Sequence, residues 1–351
     1  LWHKNKKILL MFYKWIDGVN KGEFPILKSV IHQFSESDLA IVKQDWQIII
    51  DKIKAGKAHE ISEGDTMYLA ACTKGANAKS MRKQPFSDIP AKQRAYSLKN
   101  SYMTAYVRRI LMNEDVISVF KPEELKSKSV DELLHERFAP YIGRTLYELK
   151  RHINFAENKN KAMYANLVSD LLGIKGTSLD DTEEFAKANI KFKTIRLEPN
   201  GVPREHMSFE QIDFDRWLNA SWEESQVYET FENTKFLFVV FQFTETEREN
   251  PNRVPYLKGI KLWNMPEQII ETELKDLWQT VHDILAVGVE LTQTPRGVKN
   301  NLPGAKFNAV CHIRPKAANA ADKVRLPDGQ MITKQTYWLN REYIAEIVRE
   351  L

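Results

Sequence analysis

Hydrophobic positions along this chain follow two different periods. Lys7 to Trp15 and Lys235 to Phe243 are dense in aliphatic and aromatic residues, and each predicts a strand. The first reads as a buried strand and not as a signal peptide, because Lys14 and Asp17 follow it with no small-residue cleavage site. A Pro-x-Leu-Lys segment comes after each, at Pro25 to Lys28 and Pro255 to Lys258, and predicts a second strand. The spacing then becomes helical. Leu39, Val42, Trp46, Ile49 and Ile53 share one face, with Asp38 as the expected N-cap and Gly56 as the stop. Ile270, Leu274, Leu277, Val281 and Ile284 do the same between Asn264-x-Pro266 and Gly288. Trp46 and Trp278 fall on these apolar faces and are expected in the core. Each series ends in a loop of small residues and a last helix, with Tyr102 and Val107 or Tyr343, Ile347 and Leu351 on its apolar side.

The two series are copies of one another. Lys74-Gly75-Ala76-Asn77-Ala78 reappears as Lys316-Ala317-Ala318-Asn319-Ala320, and Tyr96-Ser97-Leu98 as Tyr337-Trp338-Leu339. The offset drifts from 230 residues at Pro25 to 242 at Lys74, as a few loop insertions would make it. A repeat of this length implies two similar domains and excludes a solenoid. Residues 1–111 form the first copy. Residues 112–135, with alternating charges and Pro122, read as a linker. Residues 136–351 form the second copy, which has about 100 residues ahead of its matching part, whereas the first has almost none. In those extra residues, Arg144 to Ile153 and Ala162 to Leu172 look helical and Ser178 to Glu184 reads as an acidic turn. Ile190 to Leu197 alternates as a half-buried strand would. The fold class expected is mixed α/β (α+β), in two tandem domains.

Charge adds a direction. The net charge is only +4, yet Lys74 through Arg109 holds nine basic residues and the single acid Asp88. The matching stretch, Arg314 through Arg349, holds seven basic and four acidic residues. The imbalance coincides with the repeated loop and favours a polyanion partner over a merely solvated face. No apolar run is long enough for a membrane span. Cys72 and Cys311 occupy equivalent places in the two copies, so they are poor disulfide partners, and a reducing cytoplasm fits.

The loop residues suit DNA. Arg314 can give two parallel hydrogen bonds to guanine, Asn319 can do so with adenine, and Lys316 can meet a phosphate. The first copy offers Lys74, Asn77 and Lys79, but has Cys72 and Thr73 where Arg314 and Pro315 would stand. The alternative is a tight turn that caps the following helix through Asn. Hydrolysis would also need carboxylates for a metal ion, commonly Glu-x-Lys on one strand face. The three Glu-Leu-Lys triplets, at Glu124, Glu148 and Glu273, lie in helical or linker contexts, where such a pair diverges. Lys191-Phe192-Lys193 has the right geometry but carries a Lys where the acid belongs, so no metal site is expected in this chain.

These residues resemble the MutH family of DNA endonucleases, and in particular its two-domain type II restriction enzymes of the Sau-three-A type. Asp45-Trp46, Asp51, Gly56, Tyr68-Leu69, Lys74 to Lys79 and Leu98-Lys99 follow the family pattern in order. Thr145-Leu146, Glu148-Leu149, Phe185-Ala186, Lys193-Thr194-Ile195 and Arg314 to Ala320 follow it in the second copy. The resemblance implies a restriction-endonuclease-like fold and Mg²⁺-dependent cutting at 5′-GATC-3′ in double-stranded DNA. It puts the catalytic Asp, Glu and Lys of the second copy on Glu184, Lys191 and Lys193, a degenerate set. It puts an auxiliary active-site lysine on Lys4, and Glu232 at the same place in the second copy. The first copy's main triad would precede residue 1, in a further segment of roughly 100 residues.

The resulting expectation is a GATC-specific restriction endonuclease in a bacterial, nucleoid-associated setting, whose second domain binds DNA as an allosteric or tethering domain. The chain as given is expected to bind without cutting. DNA contacts are expected from Lys74, Asn77, Lys79, Arg94, Lys99, Arg314, Lys316, Asn319 and Trp338, with dimerisation on DNA left open. Ser97 and Trp338 replace the Tyr that single-domain repair members place before Leu-Lys, so discrimination by adenine methylation is not implied. The rival readings are a mismatch-repair nicking endonuclease, which the duplication disfavours, and a non-enzymatic DNA-binding regulator.

Overall fold

A computed structural model describes residues 5–74, 80–155, 162–295 and 297–351. Its first copy runs β1 (Ile8–Tyr13), β2 (Ile26–His32), α1 (Glu36–Lys54), β3 (Leu69–Thr73), β4 (Met81–Gln84), β5 (Ser87–Lys92), β6 (Arg94–Leu98) and α2 (Asn100–Val107). Then come short helices at Pro122–Ser127, Val130–Phe138, Leu146–His152 and Met163–Leu171, and α3 (Glu183–Ala188). The second copy follows with β7 (Ile190–Leu197), β8 (Met207–Gln211), a helix at Phe214–Asn219, α4 (Gln226–Asn233), β9 (Lys235–Gln242) and β10 (Tyr256–Trp263). It continues through α5 (Lys275–Val287), β11 (Leu291–Thr294), β12 (Gly297–Asn300), β13 (Cys311–Pro315), β14 (Lys323–Arg325), β15 (Met331–Thr333), β16 (Gln335–Leu339) and α6 (Arg341–Ile347).

Strand pairing repeats the duplication. Antiparallel pairs β1–β2, β3–β6 and β4–β5 recur as β9–β10, β13–β16 and β14–β15. Among the described residues the second copy adds four strands: β7 runs parallel to β9, β8 pairs antiparallel with β16, and β11 and β12 form a hairpin of their own. The three-stranded sheet β10-β9-β7 lies between two apolar clusters. Phe236, Phe238 and Val240 face one cluster and Leu237, Val239 and Phe241 the other, so β9 reads as an unbroken apolar run. Burying each such side chain stabilises the fold by about 1.5–3 kcal/mol. Strand β7 is the edge of this sheet and is half-buried as expected, with Ile190, Ile195 and Leu197 buried and Lys191 and Arg196 exposed.

Beyond its pairing with β2, β1 has no described strand in the place that β7 takes beside β9. The β1 side chains are alternately exposed, with Leu9, Met11 and Tyr13 in solvent, so the expected buried strand is corrected to a half-open one. Trp46 is 42% exposed whereas Trp278 is 6% exposed. Trp278 packs on Trp222, 5.6 Å away, from a segment with no counterpart among the described residues of the first copy. Without that cover, Trp46 borders an apolar cavity of about 640 Å³ with Ile8, Val42, Tyr96 and Met103.

Capping differs from expectation at two helices. Ser35 caps α1 by accepting from the Asp38 N–H, leaving the Asp38 side chain free for other partners. Asn264 does not cap α5; its amide donates to Ser62 and Asp65 of the first copy. A π turn at Ile270–Leu274 precedes α5 and still presents Ile270 and Leu274 to the core.

Residues 112–135 are not a solvated connector. Phe120, Leu125, Val130, Leu133 and Leu134 are buried in one cluster with Ile41, Tyr68 and Tyr102 of the first copy and Leu237 and Val239 of the second. The two copies thus share a core. A buried Lys187–Asp38 ion pair at 2.9 Å reinforces it, with Tyr102 donating to Asp38 at 2.9 Å.

Candidate DNA interface

The repeated loop leaves strand β13 where its partner β16 ends its ladder. Arg314 pairs with Thr336 and Pro315 with Gln335, and the Lys316 N–H then donates to the Lys334 carbonyl at 2.9 Å. The first copy makes the same closure, from the Lys74 N–H to the Gln93 carbonyl at 2.8 Å. Proline at 315 holds the strand's end extended and gives up a donor that an edge does not need.

Arg314, Lys316 and Asn319 are all exposed. The Arg314 guanidinium lies 5.7 Å over the Trp338 ring, and the Trp338 indole N–H donates to the Arg314 carbonyl at 3.2 Å. Trp338 is thus a shelf that holds Arg314 in place. Asn319 accepts from the Ala321 N–H at 2.9 Å through Oδ1, so it also shapes its own turn. The Lys334–Asp322 ion pair and the Ala318 N–H, which donates to Asp322, fix the loop's base. Asn319 therefore shapes a tight turn, but the next element is strand β14 and no helix is capped, and its exposure leaves it accessible to a ligand.

The first copy's residues divide differently. Lys74 is exposed. Lys4, Asn77 and Lys79 lie outside the described residues. Arg94 and Lys99, expected at DNA, are turned inward instead. Arg94 donates to the Ala71 carbonyl at 2.8 Å and meets Glu232 at 3.1 Å and Glu267 at 3.4 Å. Beside it Lys92 bridges Glu267 and Glu271 at 2.7 and 2.6 Å. This network clamps β5 and β6 to α4 and the helical turn before α5. Carboxylates brought from the second copy outcompete solvent for Arg94, which sequence spacing could not show. Lys99 is 3% exposed and donates to the Ala188 carbonyl at 3.3 Å. Burial pulls its pKa down to about 8, with Lys235 adding to the shift.

At the degenerate positions, Lys191 and Lys193 share one face of β7. Glu184 is not beside them. It accepts from the Val119 N–H at 2.9 Å and from the Ser118 hydroxyl, tying α3 to the connecting segment. Burial raises its carboxyl pKa against those bonds. The carboxylate near the lysines is Asp180, 3.8 Å from Lys191 and accepting from the Phe192 N–H at 2.8 Å. The sequence showed an acidic turn here but gave no means of choosing among its acids. Two ammonium groups around one occupied carboxylate do not fit a divalent cation. Glu232, at the auxiliary position, is spent on Arg94; its carboxyl is held well above its usual range by burial and by Glu267.

Ser208 was missed by sequence reasoning. Lys316 donates to its hydroxyl at 2.7 Å, and the Lys193 ammonium stands 3.5 Å from its carbonyl. Strand β8 brings it there by pairing Ser208 with Trp338. No local signal in the sequence marks that pairing.

A mixed sheet flanked by helices, a strand with side chains at the places of a Glu-x-Lys pair, and an exposed Arg/Lys/Asn loop together define the restriction-endonuclease-like class of DNA-acting proteins. The chain is 37% identical over 390 aligned positions to the type II restriction enzyme Sau3AI of Staphylococcus aureus, covering 99% of this chain and 78% of that protein. It is 25% identical over 225 positions to the DNA mismatch repair protein MutH of Histophilus somni strain 2336, covering 62% of this chain and 93% of that protein. To MutH of Vibrio campbellii it is 28% identical over 191 positions, covering 53% and 77%. No protein-family model matches it. The chain belongs to the Sau3AI family of type II restriction endonucleases, with MutH as more distant kin. No helix among the described residues is long and apolar enough to cross a membrane.

Proposed function

We propose that this chain supplies duplex recognition at 5′-GATC-3′ in a Mg²⁺-dependent type II restriction endonuclease, and that its second copy binds DNA to regulate or tether and does not cut. The observation that carries the reading is the exposed Arg314–Lys316–Asn319 loop, braced by Trp338 and closed in the same way as the first copy's loop. Lys191 and Lys193 argue against cutting by the second copy, because they repel the ion that in-line hydrolysis needs.

Among the described residues, no strand of the first copy stands where β7 and β8 stand in the second, on one side of β1 and one side of β6. A ribbon carrying Asp…Glu-x-Lys beside β1 would complete a cutting domain there. The test pairs two assays on this polypeptide: a gel shift with a GATC duplex, and incubation of the same duplex with Mg²⁺. Retention without cleavage is expected. Efficient Mg²⁺-dependent cutting by this polypeptide would overturn the division of labour, and equal affinity for GATC and scrambled duplexes would overturn the specificity.

A further inference from the structure

The Lys193, Lys316 and Ser208 group has a feature that recognition by the Arg314 loop does not use. Both ammonium groups converge on one residue, and neither has a carboxylate within 4.0 Å among the described residues. The acids nearby are engaged elsewhere. Asp180 accepts from the Phe192 N–H and Glu210 from the Gln226 amide at 3.1 Å. Lys193 also lines a cavity of about 570 Å³, in which Glu198 is paired with Arg253 and Glu247 with Arg204. The underside of Lys193 rests on the Phe209 ring, 5.2 Å from its centroid, so its head is aimed and not free to roam. Lys193 is partly desolvated and the exposed Lys316 adds a like charge beside it, and an anion placed between the two relieves that repulsion. Burial, and then Lys316, lower the Lys193 pKa, as this crowding requires.

We infer that Lys193, Lys316 and the Ser208 hydroxyl form a metal-free site for one phosphodiester group of bound DNA. The Ser208 oxygen accepts from Lys316 and keeps its own proton to donate. The two ammonium groups would take the two non-bridging phosphate oxygens, with Lys191 adding charge further along the same strand face. Cations fixed by the fold thus do what a divalent ion does elsewhere, so the second copy would grip the backbone without cutting it. The inference rests on the DNA-binding reading and deepens it.

The test measures affinity of the full chain for a labelled GATC duplex by fluorescence anisotropy across a salt series, in EDTA and in Mg²⁺. Wild-type affinity should agree within about twofold between the two. Lys193→Gln should weaken binding about five- to tenfold in both, and the log–log salt slope should fall by about one phosphate's worth, ~0.9. Lys316→Ala should behave likewise, and the double variant should lose less than the product of the singles, since both residues hold one phosphate. Circular dichroism melting confirms that each variant is folded. A Lys193→Gln chain that is folded, with unchanged affinity and slope, overturns the site while leaving DNA binding intact. A loss seen only with Mg²⁺ also overturns it, in favour of a metal-bridged contact. A wild-type chain that binds no duplex at all removes the DNA-binding reading itself.

Discussion

Arg314 and Lys99 show how position in the fold turns a basic residue to different ends. Arg314 is held over Trp338 with its guanidinium in solvent, ready for a planar acceptor. Arg314→Ala should therefore cost about 1–3 kcal/mol on a GATC duplex and much less on a scrambled one, as read by competition binding. Lys99 is sealed in the shared core with its pKa drawn down to about 8. A lysine whose folded pKa is depressed binds fewer protons in the folded than in the unfolded state between about 8 and 10.5. Stability then rises with pH across that window, and below it the group's effect on stability is constant. Relative to Lys99→Met, the wild-type chain should gain up to about 3 kcal/mol between pH 8 and pH 10.5 in urea unfolding. A pH-independent difference between the two would contradict this account. Both residues look alike in the sequence, because a basic stretch carries no information about which of its members meet carboxylates or carbonyls from another domain.

At the scale of elements, the paired hairpins and helices were legible because each copy confirmed the other: β1 with β9, β2 with β10, α1 with α5. Residues that depend on distant strands were not. Ser208 acquires its role through β8 pairing with β16, Asp180 through a bond to Phe192, and Trp46 loses its cover because Trp222 has no described counterpart in the first copy. The clamp of β5 and β6 on α4 is likewise a long-range feature, and it makes a prediction. Arg94→Ala would leave Glu232 and Glu267 buried beside fewer cations and should destabilise the chain by about 3–5 kcal/mol in chemical denaturation. Adding Glu232→Gln to that variant should recover a large part of the loss. No recovery would mean that Arg94 acts through its bond to the Ala71 carbonyl alone.

For the molecule as a whole, the shared core changes what tandem duplication means. Ile41 and Tyr68 of the first copy sit in one apolar cluster with Leu134 of the connecting segment and Val239 of the second copy. The second copy also has a cluster built from its own residues alone, but the cluster around Tyr68 and Val239 is completed only by both copies together. The chain should therefore unfold in one cooperative transition, with tryptophan fluorescence and far-ultraviolet circular dichroism changing together. Two resolved transitions would show the copies to be independent after all. A domain count from repeats sees the copies, but their fusion depends on residues 112–138, whose alternating charges hide six buried apolar side chains.

The open side of β1 bears on how this protein behaves in concentrated solution. Among the described residues its Ile-Leu-Leu-Met-Phe-Tyr strand pairs with β2 alone, so its other edge has no strand partner, and Leu9, Met11 and Tyr13 lie in water. Such an edge is a template for another copy's β1, and edge-to-edge growth from it has no natural end point. Lys6, Lys7 and Lys14 bracket the strand, and their mutual repulsion is what opposes that growth. The colloidal stability of this chain should thus fall with added salt, until something of the right length and polarity pairs with that edge.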